Sequence, residues 1–312
     1  MARPLATALN LDPLLLGLIV LVAAVWFGVV RRSARRPSGG QRGTLGLALV
    51  LLVGIWLTPL ATLAEHYLLS VHLLQVLILM GPVPALLLLS LPRNAGFRSR
   101  AVPRILRLAV HPVVAIIAVN VGFIAWHLTP AFNAALANQS LYDLMQATLL
   151  GVSLLFWWPI VTPLSPPGRA LSGFGKLGYI VLATIPQTLG GLLVALANHV
   201  LYTGYGAGPQ LLGIDPMTDQ QIAGASIALV SKIALFAAFW VVFMNLLNSG
   251  SDEREDDGGG GGGGSNPRVD APQPRPSGLP RWLDDVGDNR TTDEPLVPRP
   301  VRVPVGSGSR QA

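Results

Sequence analysis

Long apolar stretches alternate with short polar ones along most of the chain, and seven of the apolar stretches are long enough to cross a bilayer. A hydrocarbon core of about 30 Å needs roughly 20 apolar residues in a helix. We predict spans at residues 12–30, 45–63, 68–91, 108–127, 141–162, 177–200 and 220–247. The pattern therefore predicts an all-α fold, a polytopic membrane bundle of seven transmembrane helices.

The end of the chain has a different pattern. Seven consecutive glycines at 258–264 are followed by a stretch rich in proline, glycine and arginine that contains few apolar residues. Such a segment cannot bury enough apolar surface to offset the entropy lost on ordering. We therefore predict two parts, a transmembrane domain over residues 1–250 and a disordered cytoplasmic tail over residues 251–312.

The composition supports membrane insertion and limits the possible functions. Of the 312 residues, 51% are hydrophobic and only 12% are charged, whereas soluble domains average about 25% charged residues. Of the 14 basic residues in the first 250 positions, 12 lie in short loops between predicted spans, which argues against nucleic-acid binding despite the net charge of +6. The absence of cysteine excludes disulfides and thiolate metal sites.

The loops differ in charge from one side of the membrane to the other. Residues 31–42 contain five arginines, residues 93–107 contain five more, and residues 169–176 contain one arginine and one lysine. The alternate loops, 64–67, 128–140 and 201–219, contain neither. Basic residues in short loops stay in the cytoplasm. We therefore predict a multi-pass protein of the bacterial inner (cell) membrane, with its N-terminus outside and its C-terminus in the cytoplasm.

Four of the five histidines lie at predicted outer ends of spans, and the fifth, His111, begins a span on the cytoplasmic side. Imidazole and thioether groups on an oxidising side, without thiols, suit copper better than zinc or magnesium. The alternative is that each ring lies in the headgroup region, hydrogen-bonded to backbone carbonyls. The candidate copper ligands are His66, His72, His127, His199 and Met145.

Other polar side chains share helical faces with these histidines. Gln75 lies on the face of His72, and Glu65 joins that stripe if the helix extends outward to it. Asn120 precedes His127 by seven residues and lies on the same side of its helix. We expect these groups to orient the imidazoles by hydrogen bonding.

Lys232 is a charged residue inside a predicted span, twelve positions from its start. A charge at this depth is costly. It must snorkel to the interface, bind Asn120 or Gln187, or lose its proton through desolvation. A proton or anion role and a structural role both remain open.

Five motifs, in this order, resemble the CtaG-type cytochrome c oxidase assembly proteins. They are SVHLLQ at 70–75, WHLTPAFNAAL at 126–136, LLFWWPIV at 154–161, LYTGY at 201–205 and DQQIAG at 219–224. The resemblance covers about residues 50–247. It implies a seven-span bundle whose outer side handles copper, with the lipid bilayer and copper-carrying oxidase subunits as partners. The residues that match the family pattern are His72, Gln75, His127, Asp219 and Gln220.

The chain departs from the family pattern in three places, which are Val76, the pair Met145 and Gln146, and the segment ASIALV after DQQIAG, where the family often has a methionine and a tryptophan. Val76 stands where the family often has a second imidazole, and Met145 and Gln146 stand where it often has a glutamate and a histidine. The resemblance therefore implies a site with fewer histidines than the family pattern contains.

We predict a non-catalytic assembly factor that binds or relays copper at the outer side of the bundle. The sequence contains no nucleophile with a convincing base, and the glycine run lacks the strand-to-helix context of a phosphate loop. Three alternatives remain open. They are a copper or proton transporter or channel using Lys232, Asn120 and Gln187, haem ligation by His72 and His127, and a purely structural membrane subunit.

Overall fold

The computed structural model describes residues 9–33, 36–92, 104–161, 171–205, 213–229 and 232–257. Every regular element in these ranges is helical, which confirms the predicted all-α class. The helices are α1 (Pro13–Arg32), α2 (Gly39–Trp56), α3 (Pro59–His66), α4 (Leu69–Met80), α5 (Pro82–Leu89), α6 (Arg104–Ala109), α7 (Pro112–His127), α8 (Thr129–Ala137), α9 (Gln139–Val161), α10 (Gly173–Leu196), α11 (Pro216–Leu229) and α12 (Lys232–Asp257), with a 3₁₀ turn at Thr203–Tyr205.

Local capping chemistry fixes where several helices begin. The Asp12 carboxylate accepts hydrogen bonds from the Leu14 and Leu15 amides at the start of α1. Ser38 and Gln41 form a reciprocal capping box at the start of α2. These side chains satisfy amides that have no partner within the helix. By contrast, α4 has no capping side chain from its own segment.

Five helical segments within the described ranges are long and apolar enough to cross a membrane. One of them is Leu69–Leu89, which joins α4 and α5, and the pair α7 and α8, bent by 68°, gives a sixth if it is counted as one span. The predicted seventh span, 220–247, is divided between α11 and α12, and residues 230–231 lie outside the described residues. The count of seven spans and the orientation therefore stay predictions.

The described residues on both sides of 230–231 are helical, with α11 described to Leu229 and α12 from Lys232 to Asp257. The predicted mid-span position of Lys232 and the predicted division of the chain at residue 250 stay predictions. The rest of the predicted disordered tail, residues 258–312, lies outside the described residues.

Hydrogen bonds between connecting segments hold one end of the bundle together. The Tyr202 hydroxyl donates to the His127 carbonyl (2.7 Å), and the Tyr205 hydroxyl donates to the Ala64 carbonyl (2.5 Å). Gln220 donates to the His199 carbonyl (3.1 Å) and accepts from the Leu201 amide (2.7 Å). We call this end, which carries His66, His72, His127 and His199, the histidine end. It is the end predicted to face outward.

Helices α10 and α11 pack against each other through two buried glycines. A Cβ atom on Gly191 would lie 2.8 Å from the Gly224 carbonyl oxygen and 2.9 Å from the Ala228 nitrogen. A Cβ atom on Gly224 would lie 2.5 Å from the Gly191 carbonyl oxygen. Because the obstacles are backbone atoms, no rotamer change can make room, and the crossing requires glycine at both positions. Close approach at small residues is a common way to pack helices in membranes.

We expect Gly224→Ala to destabilise the protein by about 1–3 kcal/mol, because the added methyl group forces α10 and α11 apart. Thermal unfolding in detergent, followed by intrinsic tryptophan fluorescence, measures the effect. Gly190→Ala is the matched control, since nothing lies within 4 Å of a Cβ at that position. Equal unfolding temperatures for the two variants would contradict the close crossing.

Candidate functional site

His72 and His127 face each other inside the histidine end. Their ring centroids are 5.8 Å apart, with an angle of 46° between the ring planes. His72 is fully buried, and in both rings the Nε2 atom is buried with no hydrogen-bond partner among the described residues. The structure thus brings together two of the five predicted copper ligands.

The hydrogen bond of His127 fixes its tautomer. Its Nδ1 atom lies 2.7 Å from the Phe123 carbonyl oxygen, one turn earlier in α7. A carbonyl can only accept a hydrogen bond, so Nδ1 carries the proton. In the neutral ring, Nε2 is then a free lone pair that can act as an acceptor or as a metal ligand.

The tautomer of His72 follows in the same way from its hydrogen bond to a tyrosine. Its Nδ1 atom lies 3.0 Å from the Tyr142 hydroxyl oxygen, and that hydroxyl donates to Gln75 Oε1 at 2.9 Å. Because the hydroxyl has one proton and uses it toward Gln75, Nδ1 of His72 is the donor to the tyrosine oxygen. Nε2 of His72 is therefore a second free lone pair.

The Gln75 amide is held in one orientation by its other hydrogen bonds. Its Nε2 donates to the Ile55 carbonyl (2.7 Å), and its Oε1 also accepts from Gln146 Nε2 (2.9 Å). Both lone pairs of the Gln75 oxygen are thus used, and the Tyr142 proton has a fixed acceptor. The predicted role of Gln75, orienting His72, is carried out through Tyr142. From the sequence we assigned no role to Tyr142 and named Gln146 only as a departure from the family pattern, although a glutamine in an apolar helix was an available signal for the second.

Aromatic rings enclose the two imidazoles. Phe132 of α8 is fully buried and packs edge-on against His72, with centroids 4.8 Å apart, and nearly parallel to His127 at 5.8 Å. Phe123 stacks on the other side of His127 at 4.2 Å. The bend between α7 and α8 thus folds a phenylalanine over the pair.

Asp219 caps the helix that carries His72 from a distant part of the chain. Its carboxylate, on α11, accepts hydrogen bonds from the Leu69 amide (2.6 Å), the Ser70 amide (3.1 Å) and the Ser70 hydroxyl. These amides are the first donors of α4, which has no cap of its own. Charge-assisted bonds of this kind are strong. Asp219 therefore fixes the position of α4 two residues before His72.

The exposed predicted ligands, His66 and His199, do not join the pair. The His66 side chain is 55% exposed, and His199 is exposed with Nδ1 2.9 Å from the Asn198 amide oxygen. Met145 is fully buried in α9, one turn after Tyr142. Within the part of the chain that the structure describes, no group of three or more histidine or acidic side chains could hold a metal ion.

We predicted that Glu65 shares a helical face with His72 and Gln75 if their helix extends outward to it. The helix does not extend that far, and Glu65 lies on a separate helix. Helix α3 ends at His66 and α4 begins at Leu69, because the chain breaks the helix between them. Glu65 is instead near Asp143 and the Gln139 amide. Burial raises the pKa of the Glu65 carboxyl to about 7, against a lowering by Gln139 and with smaller increases from Asp143 and Asp12.

Asn120 lies two turns before His127 on α7 and does not reach the pair through a hydrogen bond. Its Nδ2 donates to the Ile116 carbonyl (3.0 Å), and its buried Oδ1 has no partner among the described residues. It therefore satisfies part of its hydrogen-bonding capacity within its own helix.

A cavity of about 40 Å³ lies next to the pair, lined by Val76, one turn after His72, and Phe123, one turn before His127. Gln187 is the polar side chain among its lining residues, and the others are apolar or aromatic apart from Gly81. Of the three residues predicted to line a transport path, this cavity contains Gln187 and neither Asn120 nor Lys232. This cavity is therefore mostly apolar, with one polar side chain in its wall.

One protein family matches the chain. The sequence model of the family described as cytochrome c oxidase caa3 assembly factor matches residues 23–249, which contain both imidazoles of the pair, Gln75, Tyr142 and Asp219. No curated protein and no solved structure matches the chain.

We expect Asp219→Asn to loosen the start of α4, because asparagine has no charge and only one acceptor oxygen. The loss should cost about 2 kcal/mol of stability, the range for hydrogen bonds to a charged group. It should also raise the modification of His72 by diethyl pyrocarbonate, measured for each histidine by peptide mass spectrometry. The exposed His199 serves as the internal reference, and Gln221→Ala, at an exposed neighbouring position, as the control. Unchanged protection of His72 would refute the capping role.

Proposed function

The chain belongs to the cytochrome c oxidase caa3 assembly factor family, and we propose that its part in oxidase assembly is to bind a copper(I) ion between His72 and His127 and pass it on. In this proposal the histidine end faces outward from the cell membrane, and the acceptor is an oxidase subunit that carries copper. The role is one of delivery, without catalysis.

The observation that supports this proposal most is that His72 and His127 each have an Nε2 lone pair without a hydrogen-bond partner among the described residues. Two neutral imidazoles, 5.8 Å apart between centroids, each hold a buried Nε2 without a partner among the described residues. Imidazole is a good copper ligand, and copper(I) accepts two ligands in a linear arrangement. Structural zinc sites use four ligands and magnesium prefers oxygen, so neither suits two nitrogen donors.

The hydrogen bonds behind each ring suit metal binding. A ligating histidine almost always donates its second ring N–H to a fixed acceptor, which sets the tautomer and increases the basicity of the ligating nitrogen. The Phe123 carbonyl serves His127 in this way, and the Tyr142 hydroxyl serves His72. The ring that carries the lone pair is therefore already in the protonation state that copper needs.

A site built on two imidazole donors favours transfer over storage. A two-coordinate ion leaves room for an incoming ligand from an acceptor, so the ion can move by ligand exchange without first becoming free. In the proposed step, the acceptor's ligands bind the copper(I) ion one after the other as the two copper–imidazole bonds break in turn, and each lone pair returns to its Nε2. No electron is transferred, and the proton on each Nδ1 stays in place.

The haem alternative meets a steric obstacle. Phe132 contacts both His72 and His127, and Tyr142 lies against His72 with ring centroids 5.7 Å apart. A macrocycle placed between the imidazoles would have to displace Phe132 from a fully buried position. An absorption spectrum of the purified protein tests the alternative, since bis-histidine haem gives a strong Soret band and copper(I) gives none.

We expect His72→Ala and His127→Ala each to weaken copper(I) binding by about tenfold or more, since each removes one of two ligands. Competition with a chromophoric copper(I) chelator, under anaerobic reducing conditions and with the full-length protein in detergent, gives the affinity. His199→Ala is the matched control, because it removes an exposed imidazole at the same end. Wild-type affinity in both pair variants would disprove the site.

Tyr142→Phe separates orientation from ligation. The ring remains, but His72 loses the acceptor for its Nδ1 proton, so we expect an affinity loss of about 10–100-fold, as for other groups that orient a ligand.

In cells that make the oxidase, the His72 and His127 variants should insert normally and yield oxidase with less copper. Fully metallated oxidase from both variants at limiting copper would contradict the proposed delivery role.

A further inference from the structure

Phe132 lies at the third corner of a triangle of rings that includes both imidazoles of the pair. Its ring centroid is 4.8 Å from that of His72 and 5.8 Å from that of His127, and the two imidazole centroids are 5.8 Å apart. Phe132 is also fully buried. Its side chain therefore contacts both imidazoles at once, as a third ligand of an ion bound between them would.

The segment that follows α10 holds the ring of Phe132 in this place. Tyr202 packs edge-on against it, with centroids 5.1 Å apart, and Tyr205 packs against it at 6.0 Å. The hydroxyl groups of these tyrosines are bonded to the backbone carbonyls of His127 and Ala64. Because interiors are closely packed, a different rotamer of Phe132 would need α8 or the two tyrosines to move.

The phenyl ring at this corner has no donor atom. Phe123, which stacks on His127 at 4.2 Å, has none either. Met145, buried one turn after Tyr142, has a thioether, a soft donor that also suits copper(I). The phenylalanines beside the pair therefore place apolar carbon where a third nitrogen or oxygen ligand could otherwise lie.

The number of ligands separates the metal ions that two imidazoles could attract. Zinc in structural sites takes four ligands, whereas copper(I) can be held by two. A divalent ion at the pair would have to complete its shell with water, and the buried ring of Phe132 occupies space that such water would need. Burial of a charge in apolar surroundings is also costly, and the cost rises with the square of the charge. The aromatic surroundings thus disfavour a divalent ion in two ways.

We propose that Phe132 is the specificity-determining residue of the pair, because it occupies the position of a third ligand and so restricts the site to a soft, monovalent ion. The inference rests on the proposed copper(I) site and adds to it the residue that excludes zinc and other divalent ions. It also gives α8 a function, which is to bring an apolar ring over the two imidazoles.

Phe132→His tests the position directly. Imidazole is smaller than phenyl, so the new side chain fits the same space and adds a nitrogen at the third corner of the triangle. Three histidines and one water are an established four-coordinate zinc site, and cobalt(II) is a coloured substitute for zinc. We expect the full-length variant in detergent to bind cobalt(II) more tightly than the wild-type protein by about tenfold or more, since one ligand is added. The intense visible absorption of four-coordinate cobalt(II) measures binding, and competition gives the affinity for zinc.

Phe132→Ala tests the same inference without a new donor. It opens space beside both imidazoles, so water can enter and complete the shell of a divalent ion. The affinity for cobalt(II) should again rise above that of the wild-type protein, by less than in Phe132→His. Thermal unfolding in detergent shows whether each variant folds, and if one does not, the other decides. The wild-type protein adds a test that needs no variant, since it should bind copper(I) and leave cobalt(II) unbound.

Two controls make the result specific. Leu136→His introduces an imidazole one turn later in α8, where the side chain lies against Gly204, and it should leave the affinity for cobalt(II) at the wild-type value. Combining Phe132→His with His72→Ala removes one corner of the triangle. The combined variant should return to the wild-type affinity for cobalt(II).

Three results would overturn the inference. Cobalt(II) or zinc binding by the wild-type protein as tight as that by Phe132→His would show that Phe132 excludes neither ion. Cobalt(II) binding by Phe132→His that persists when His72→Ala is added would show that the new imidazole lies away from the pair. Unchanged cobalt(II) affinity in both Phe132 variants, with normal copper(I) binding by the wild-type protein, would refute the role of Phe132 alone.

The proposed copper(I) site and the role of Phe132 fail in different ways. Absence of copper(I) binding by the wild-type protein, together with the gain in cobalt(II) affinity in Phe132→His, would refute the copper(I) site. The position of Phe132 at the third corner and its exclusion of divalent ions would then stand.

Discussion

The hydrogen bonds of one amide side chain, Gln75, determine the chemistry of the candidate site. In an apolar interior, a polar group that lacks a partner costs free energy that water cannot return. Gln75 meets this constraint by donating to the Ile55 carbonyl and accepting from Gln146 and Tyr142. The direction of the Tyr142 proton follows, and with it the tautomer of His72. The hydrogen bonds thus run from the Ile55 carbonyl on α2 through Gln75 and Tyr142 to His72, whose Nε2 keeps a free lone pair.

The position of that lone pair depends on contacts between distant segments. Asp219 joins α11 to the first turn of α4, and the Tyr202 hydroxyl joins the segment after α10 to the end of α7. A hydrogen bond from a residue of the segment 202–219 therefore lies close to each of the two histidines. Asp219 of DQQIAG and Tyr202 of LYTGY thus hold the helix ends that lie near the two imidazoles.

The periodicity of apolar residues was enough to predict the helices and which residues share a helical face. It did not predict which helices are neighbours or where a helix breaks. The shared face of His72 and Gln75 follows from a spacing of three residues, and both side chains are buried in α4. The separation of Glu65 from that helix depends on a break at Tyr67 and Leu68 and on a cap supplied from α11, which no local pattern contains. Phe132 and Tyr142 looked like ordinary apolar core in the sequence. Their contacts with the imidazoles arise only because α8 bends back by 68° and α9 packs alongside α4.

Three positions where the resemblance led us to expect histidine or glutamate carry buried side chains of other kinds. Val76 and Met145 are buried as apolar side chains, and Gln146 is buried as a hydrogen-bond donor to Gln75. An imidazole at position 146 would place a titratable ring where the amide now donates to Gln75 and accepts, at 3.5 Å, from Trp56. With glutamine there, the network stays neutral and its proton positions stay fixed. A bundle arranged in this way holds both imidazoles in one tautomer with Nε2 unprotonated, which is the property that the proposed copper(I) relay requires.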